Sequence, residues 1–525
     1  MRKATGSVVG AAGVIAVLTL LSRVMGLVRK LAQSWAMSDG SVATAYDTAN
    51  TVPNVLFEIA AGGALAGAVI PLVSRFLARK MGKEASQTAS ALATWILSIS
   101  LPIVVAVIIF AEPIVAALSG PEADPATISL AATLLMIFAI QVPLYGLSVV
   151  ATGVLQAHKR FVLPALSPLL SSLVVIGAFV AYALMVGPHI GPEELTRSGT
   201  YLLGWGTTLG VVMFSIPQFI AAARIVRLRP TLKFPEDAGR QTIRLASAGL
   251  AALLAQQIAI LAIMFTANSL GDVGTYAAFN YAFAIFMVPY AVLAVPIATA
   301  VFPQISQAHE LDDFARRDQY IAQSTRLVLA MGMIATVLLI ALAKPAQIVL
   351  QLGNPIEGLD TGMRAMAPAL VGYSLLYHGA RVLYALDAGR RVVVTNTLSW
   401  ATVIAVLFAA HNTGVSGRID TLVAIGVALS VGMTVGVVSV IFAIRAQVGS
   451  QAVAGYMRTI VGLLPGLAIF GALGLWSTNL VLSALNGTIF AAFVSAFVGA
   501  VVVLSGSLIN LYLIDRQALS ALTRR

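Results

Sequence analysis

The sequence predicts an all-α polytopic membrane protein. Hydrophobic residues make up 59% of its 525 residues, charged residues make up 10%, and the mean hydropathy is +0.93. A soluble domain carries about 25% charged residues. Since no long polar stretch interrupts the apolar ones, the chain has no room for a second, soluble domain.

Apolar stretches of about 20 residues, the length that crosses a bilayer as a helix, recur along the whole chain. The fourteen predicted spans lie near residues 9–36, 42–74, 88–111, 127–157, 161–186, 199–223, 243–269, 276–304, 326–351, 364–386, 392–411, 419–444, 457–477 and 487–514. The first follows Arg2 and Lys3 as a signal peptide would, but it continues past the usual apolar length and reaches further charges. We therefore expect it to be retained as a helix.

The basic residues predict the orientation. If the N-terminus is cytoplasmic, the cytoplasmic loops and the two ends hold 24 of the 32 Lys and Arg residues, whereas the opposite loops hold four. Positive charge concentrates on the cytoplasmic side of membrane proteins, so both termini are predicted there. The same distribution accounts for the net charge of +11, and we expect no nucleic-acid partner.

Two short motifs recur at nearly one spacing and predict a duplication. AVIPLVS at 68–74 resembles AVFPQIS at 300–306, and LQAHKRFVL at 155–163 resembles LDAGRRVVV at 386–394. An even number of spans in each copy would relate two six-helix lobes by a pseudo-two-fold axis along the membrane normal. The predicted organisation is an N-lobe (1–225), a cytoplasmic linker (226–242), a C-lobe (243–450), and a segment with helices 13 and 14 and a cytoplasmic tail (451–525).

The candidate site begins with three cations inside the first predicted span: Arg23, Arg29 and Lys30. A charge at the centre of a membrane helix costs about 3 kcal/mol even on lenient scales, so such residues usually face water or an anionic partner. Lys30 falls near the helical face of Arg23, whereas Arg29 is about 120° away. Alternatively, the helix ends near Ser22 and the cations lie in a solvated loop.

Further charges occur in two other spans. Asp47 and Glu58 lie close to one face of the second span, around Pro53, and Asp47 is a candidate partner for Arg29 or Arg23. Arg381, in the tenth span, either lines a cavity or extends to the cytoplasmic surface. These residues predict a binding site for an anion.

Other functional classes lack their motifs. The chain has no cysteine, and its five histidines never reach metal-binding spacing, so we expect no metal and no cofactor. It contains no Walker loop and no GxSxG, which predicts that it is not an enzyme and does not hydrolyse ATP. A transporter with this sequence would be passive or coupled to the membrane potential, Na⁺ or H⁺.

Several motifs resemble the MurJ (MviN) family of lipid II flippases, in the multidrug/oligosaccharidyl-lipid/polysaccharide (MOP) exporter superfamily. They are SRVMGLVRKLA (22–32), AYDTANTVPNVL (45–56), AVIPLVSRF (68–76), GVLQAHKRFVLPALSPLL (153–170) and VPYAVLAVPIATAVFPQIS (288–306). The resemblance implies fourteen helices in two lobes and a plasma-membrane transporter in cell-wall synthesis. It implies arginines that engage the pyrophosphate of lipid II, a polyprenyl-linked glycan, and a groove for its lipid tail formed partly by the last two helices.

By this resemblance, Arg23 and Arg29 are substrate-side arginines, Asp47 is the acidic residue of the second helix, and Arg381 matches a frequent cation of the tenth. The chain departs from the family in three places. Phe57 and Glu58 stand where the family usually has two arginines, and Ala284 stands where it has another. The eleventh predicted span contains Asn396 but no acidic residue that could complete a sodium site. Lys30 is an unusual cation that could compensate for the missing arginines.

The departures leave alternatives open. The chain would flip lipid II, in contact with the lipid bilayer and with cell-wall synthesis and division proteins as partners, or it would flip another polyprenyl-linked glycan. From different classes, it would be an ion-coupled (MATE-like) exporter of cationic compounds or a non-transporting scaffold of the wall-synthesis machinery. An exporter of cations needs an acidic cavity, and the cations of the first span argue against one.

Overall fold

The computed structural model describes residues 2–59, 66–121, 123–235, 238–352 and 355–518. The chain forms two compact units, Met1–Gln257 and Ile258–Arg525. The first unit holds α1 (Arg2–Met37), α2 (Ser41–Glu58), α3 (Ala66–Ala78), α4 (Gly82–Ile109), α5 (Ala111–Ser119), α6 (Pro125–Ala139), α7 (Gln141–Ala157), α8 (Val162–Met185), α9 (Arg197–Ala223) and the start of α10 (Ala238–Leu270).

The second unit continues α10 and adds nine helices. These are α11 (Thr275–Pro289), α12 (Val295–Glu310), α13 (Phe314–Gln351), α14 (Leu359–Met366), α15 (Ala369–Ala385), α16 (Gly389–Ala410), α17 (Arg418–Val448), α18 (Tyr456–Ala484) and α19 (Ile489–Ile514). A π-helical segment, Tyr290–Ala294, joins α11 to α12, and a 3₁₀ turn, Gln451–Val453, precedes α18. The described residues contain no strand.

The prediction of an all-α polytopic membrane protein is confirmed. Among the described residues, eleven helical segments are long and apolar enough to cross a membrane, and they coincide with every predicted span except the first, second and tenth. The first predicted span lies on α1, with its three cations. The second falls on α2 and α3, and the tenth on α14 and α15.

The first unit has a core of small and branched side chains where α3, α4, α7 and α9 meet. Val69 and Leu72 of α3, Ala89 of α4 and Val154 of α7 are all buried there. Helix α1 packs along α8, and Ser22 donates a hydrogen bond to the carbonyl oxygen of Ala165 across that contact (3.2 Å). This packing holds the cationic half of α1 within the unit.

The predicted linker (226–242) is largely bound to the first unit along α4. The backbone amides of Arg229 and Thr231 donate to the hydroxyls of Ser90 and Thr94, at 3.0 and 3.1 Å. Trp95 donates through its indole N–H to the carbonyl oxygen of Leu232 at 3.1 Å. Residues 236–237 of the predicted linker lie outside the described residues. Since an extended segment cannot satisfy its own amides, these side chains act as its hydrogen-bond partners.

The second unit is built around α13. Its residues Leu327, Met331 and Ile334 pack against side chains of α15, α18 and α19 in one buried core. An ion pair joins Arg326 Nε to Asp515 Oδ2 at 2.9 Å, and Thr459 donates to the same carboxylate at 2.9 Å. The last two helices, predicted as a separate segment (451–525), thus pack on α13; residues 519–525 of the predicted tail lie outside the described residues.

Close helix packing in this unit requires a residue without a side chain at Gly372. A Cβ atom added there would lie 2.5 Å from the carbonyl oxygen of Met433 on α17. Small residues allow such close approach between membrane helices, where packing replaces the hydrophobic drive for association. Substitution at Gly372 would therefore force α15 and α17 apart.

Both copies of the repeated motif LQAHKRFVL and LDAGRRVVV end one helix and begin the next. The amide of Arg160 donates to the carbonyl of Leu155 (2.8 Å), and that of Ala388 donates to the carbonyl of Leu383 (2.8 Å). One residue of each motif has a left-handed backbone conformation. It is Lys159, the fifth residue of the first motif, and Asp387, the second residue of the other. The two motifs thus form the same kind of turn, but out of register with their sequence match.

Candidate functional site

The cations of the first predicted span lie on one continuous helix. Helix α1 runs unbroken to Met37, so the alternative of a helix ending near Ser22 is wrong for this structure. Arg23 is exposed, whereas Arg29 and Lys30 are half-buried. Gly26 does not interrupt the helix, because an isolated glycine costs only about 1 kcal/mol relative to alanine.

Lys30 is compensated inside the protein by α2. Its Nζ lies 3.5 Å from Oδ1 of Asp47 and 2.9 Å from Oε1 of Gln33. Gln33 in turn donates from Nε2 to the same Oδ1 at 3.0 Å. Asp47 and Gln33 are 3% and 2% exposed. The three side chains form a buried network that links α1 to α2.

The expected partnership of Asp47 with Arg29 or Arg23 is therefore corrected. The structure pairs Asp47 with Lys30, because Gln33, one turn further along α1, holds the carboxylate beside the lysine. Oδ2 of Asp47 is buried and has no hydrogen-bond partner among the described residues. Sequence reasoning named Lys30 and Asp47 but missed Gln33, whose spacing of three residues from Lys30 was the available signal.

Among the described residues, Arg29 has no counter-charge, unlike its neighbour Lys30. In the part of the chain that the structure describes, its guanidinium makes no ion pair and no side-chain hydrogen bond. The hydroxyls of Tyr46, on α2, and Tyr145, on α7, lie close enough to interact electrostatically with this guanidinium. The hydroxyl groups of Tyr46 and Thr207 lie 2.9 Å apart. A half-buried cation beside aromatic hydroxyls can accept an anion without displacing a carboxylate.

The C-terminal half of α2 is aromatic where the family usually has arginine. The ring of Phe57 stacks on that of Tyr145, with centroids 4.4 Å apart, and Tyr145 also contacts Phe214 edge-on at 6.1 Å. Glu58, the last residue of α2, is exposed and makes no ion pair with the described residues. Asp47 and Glu58 thus differ in burial, although their spacing places them near one face.

Arg381 lies in the second unit on α15. It donates to the Tyr377 hydroxyl at 3.0 Å, and its guanidinium lies 5.2 Å from the Tyr377 ring centroid and 5.8 Å from that of Phe302. The side chain is half-buried. Its neighbours are aromatic faces, which stabilise a cation without neutralising it.

A row of aromatic side chains, unforeseen from the sequence, lies in the same unit. Phe279, Phe283 and Phe286 stack along α11, and Tyr373 of α15 packs edge-on against the last two. Their spacing of three or four residues on one helix was the available signal. We assign this row to packing between α11 and α15, since Phe286 is fully buried.

No metal centre is visible in the described residues, where no three His, Cys, Asp or Glu side chains cluster. Asn396, the polar residue noted in the eleventh predicted span, donates to the carbonyl of Val392 on its own helix at 3.0 Å. Ala284, which replaces a family arginine, lies half-buried on α11.

The described helices adopt a fold that is also found in solved transporters of the MOP superfamily. A solved inward-facing multidrug resistance MATE family transporter of that superfamily superposes with a TM-score of 0.67 at 14% identity, covering 83% of this chain and 98% of that one. A structure described as lipid II flippase MurJ, inward closed conformation, gives a TM-score of 0.73 at 19% identity, covering 95% and 98%.

The chain belongs to the lipid II flippase MurJ family, whose model matches residues 34–503. A relative from Synechocystis sp., named probable lipid II flippase MurJ, is 26% identical over 400 residues, which cover 74% of this chain and 73% of the relative. The family resemblance expected from the motifs is confirmed. Asp47, Glu58 and Arg381 lie within the matched stretch, whereas Arg23, Arg29 and Lys30 precede it.

Proposed function

We propose that this protein flips lipid II, the polyprenyl-pyrophosphate-linked precursor of peptidoglycan, from the inner to the outer leaflet of the bacterial cytoplasmic membrane by alternating access. Family membership and the names of its relatives support this substrate. The fold shared with MATE transporters supports the mechanism, since that architecture belongs to transporters.

The guanidinium of Arg29, which has no counter-charge among the described residues, supports this location of the site. A cation within a membrane helix is costly unless an anion or water attends it. Lys30 already has Asp47 at 3.5 Å, whereas Arg29 has no carboxylate partner among the described residues. We therefore assign the pyrophosphate chiefly to Arg29, with Arg23 as the exposed cation that the headgroup meets on the same helix.

The guanidinium chemistry fits a diphosphate. Arginine presents a planar set of N–H donors that matches two phosphate oxygens, and such charge-assisted bonds are about twice as strong as neutral ones. The network of Lys30, Gln33 and Asp47 would keep α1 fixed to α2 while the ligand comes and goes. In this proposal Lys30 has mainly a positioning role and does not replace the family arginines lost at Phe57, Glu58 and Ala284.

The sequence also bears on the energy source and the orientation of the transporter. Without an ATP-binding loop in the sequence, transport would draw on the membrane potential, Na⁺ or H⁺, and the protein would not be an enzyme. Both termini would lie in the cytoplasm, as the distribution of Lys and Arg predicts. Proteins of cell-wall synthesis and division, which use lipid II in the outer leaflet, would be its partners.

Depletion in cells tests this function. After the protein is depleted, we expect newly made lipid II to stay in the inner leaflet, because no other route crosses the bilayer in a strain with no second flippase. The measurement adds a lipid II-cleaving toxin outside intact cells and follows the labelled precursor. Protection of lipid II supports the proposal; cleavage as complete as in undepleted cells refutes it.

A further inference from the structure

A second cationic site lies in the second unit, on α16 and α17. An open pocket of about 590 Å³ separates the first turns of α16 from the last turns of α17. Arg390 and Arg391 line it together with apolar groups that include Val394, Phe442 and Ala446. The substrate site proposed on α1 does not include these residues.

The charges of the two arginines are available to a ligand. Arg391 donates from Nη1 to the carbonyl oxygen of Ala443 at 2.7 Å, which fixes its guanidinium at the pocket wall beside the end of α17. Arg390 is exposed. In the described part of the chain neither arginine forms an ion pair. Both also lie in the first turn of α16, where the helix dipole disfavours cations. An anion in the pocket would pair with the two guanidinium groups and would offset their unfavourable interaction with the helix dipole.

The rest of the pocket is suited to an acyl chain. Val394 and Phe442 are 57% and 65% exposed, and they lie on two helices long and apolar enough to cross the membrane. Apolar side chains on such helices face lipid tails. A guanidinium pair at the end of an apolar groove therefore matches a molecule with an anionic head and a hydrocarbon tail.

We propose that this pocket binds an anionic glycerophospholipid of the bilayer. Arg390 and Arg391 hold its phosphate, and its acyl chain lies against Val394 and Phe442. A zwitterionic phospholipid brings its own cation toward the two arginines and binds less tightly. The binding itself rests on the pocket alone; that the lipid comes from the cytoplasmic leaflet follows from the orientation proposed above.

The test compares phospholipid binding to the delipidated, purified full chain by native mass spectrometry, with phosphatidylglycerol and phosphatidylcholine of the same acyl chains as probes. The variant Arg390→Gln/Arg391→Gln should bind phosphatidylglycerol about tenfold more weakly, since each cation contributes to anionic-lipid affinity. The matched control is Arg445→Gln/Arg458→Gln, which removes two exposed arginines outside the pocket. The control should bind within about twofold of wild type.

A second variant guards against a folding defect, because Arg391 also bonds to Ala443. Ala446→Trp fills the pocket, keeps both arginines, and should reduce phosphatidylglycerol binding as well. The proposal is overturned if the pocket pair and the control pair lose binding equally, if phosphatidylcholine binds as tightly as phosphatidylglycerol, or if millimolar glycerol phosphate displaces the lipid and shows that a free phosphate suffices. Lipid II transport is measured in parallel; a chain that fails to flip lipid II but shows this lipid selectivity refutes the proposed function alone.

Discussion

Replacing Arg29 with alanine is expected to abolish lipid II transport while leaving the protein in the membrane at its normal level. The guanidinium has no carboxylate partner among the described residues, so its loss breaks no ion pair within the fold. A charged hydrogen bond contributes about 1.5–3 kcal/mol. Binding of lipid II should therefore weaken about 10- to 100-fold. The measurement is lipid II affinity of the purified variant, with growth of cells that depend on it.

Two companion variants sharpen that result. Arg29→Lys keeps the charge but loses the planar pair of donors, so it should fall between wild type and Arg29→Ala. Arg445→Ala removes an exposed arginine at the end of α17 and should behave as wild type. Normal growth and unchanged affinity of Arg29→Ala would rule out the pyrophosphate role of Arg29.

Breaking the buried pair on α1 and α2 should instead reduce stability. Lys30→Met removes the ammonium that pairs with Asp47, and Asp47→Asn removes the carboxylate charge that lies 3.5 Å from Lys30. Removal of one partner from a buried ion pair costs about 3–5 kcal/mol. We expect the lower end, about 3 kcal/mol, because the Lys30 side chain is 21% exposed. The measurement is the thermal unfolding midpoint of each purified variant in a single detergent.

The double variant Lys30→Met/Asp47→Asn separates a positioning role from ligand binding. It removes both charges together, so most of the lost stability should return, and the double-mutant cycle should give a coupling of about 2 kcal/mol or more. Transport should return with it. Asp420→Asn, at an exposed carboxylate without an ion pair in the described residues, is the control. A double variant that is as stable as wild type yet inactive would show that the charged pair acts in transport itself and has more than a positioning role.

Much of the fold could be predicted from the sequence, because the bilayer fixes helix length and forces backbone hydrogen bonds inside each helix. That rule identified the eleven apolar spans. It also placed the cationic helix, because the first predicted span (9–36) continues past Lys30. The break within the tenth span, between α14 and α15, was not predicted, because hydropathy averages over the local geometry that ends a helix.

The candidate site was predictable in its residue types and less so in its partners. A charged residue in a membrane helix carries a free-energy cost and is therefore expected to have a function or a partner. For this reason Arg29, Lys30 and Asp47 could be named as site residues from the sequence. The positions of the cations around the helix do not decide which of them pairs with Asp47. The pairing depends on side-chain length and on the contact with Gln33. The stacking of Phe57 on Tyr145 brings α2 and α7 together across many residues of sequence. Such contacts need the tertiary structure.

In our proposal this chain itself moves lipid II, and Arg29 binds the headgroup while it does so. The direct measurement uses purified protein in liposomes that contain labelled lipid II, with a lipid II-cleaving toxin added outside. Wild-type protein and Arg445→Ala should expose the inner-leaflet lipid II to cleavage, whereas Arg29→Ala should leave it as protected as in protein-free liposomes. Cleavage with Arg29→Ala equal to that with wild type, or protection with the wild-type protein itself, would contradict the claim.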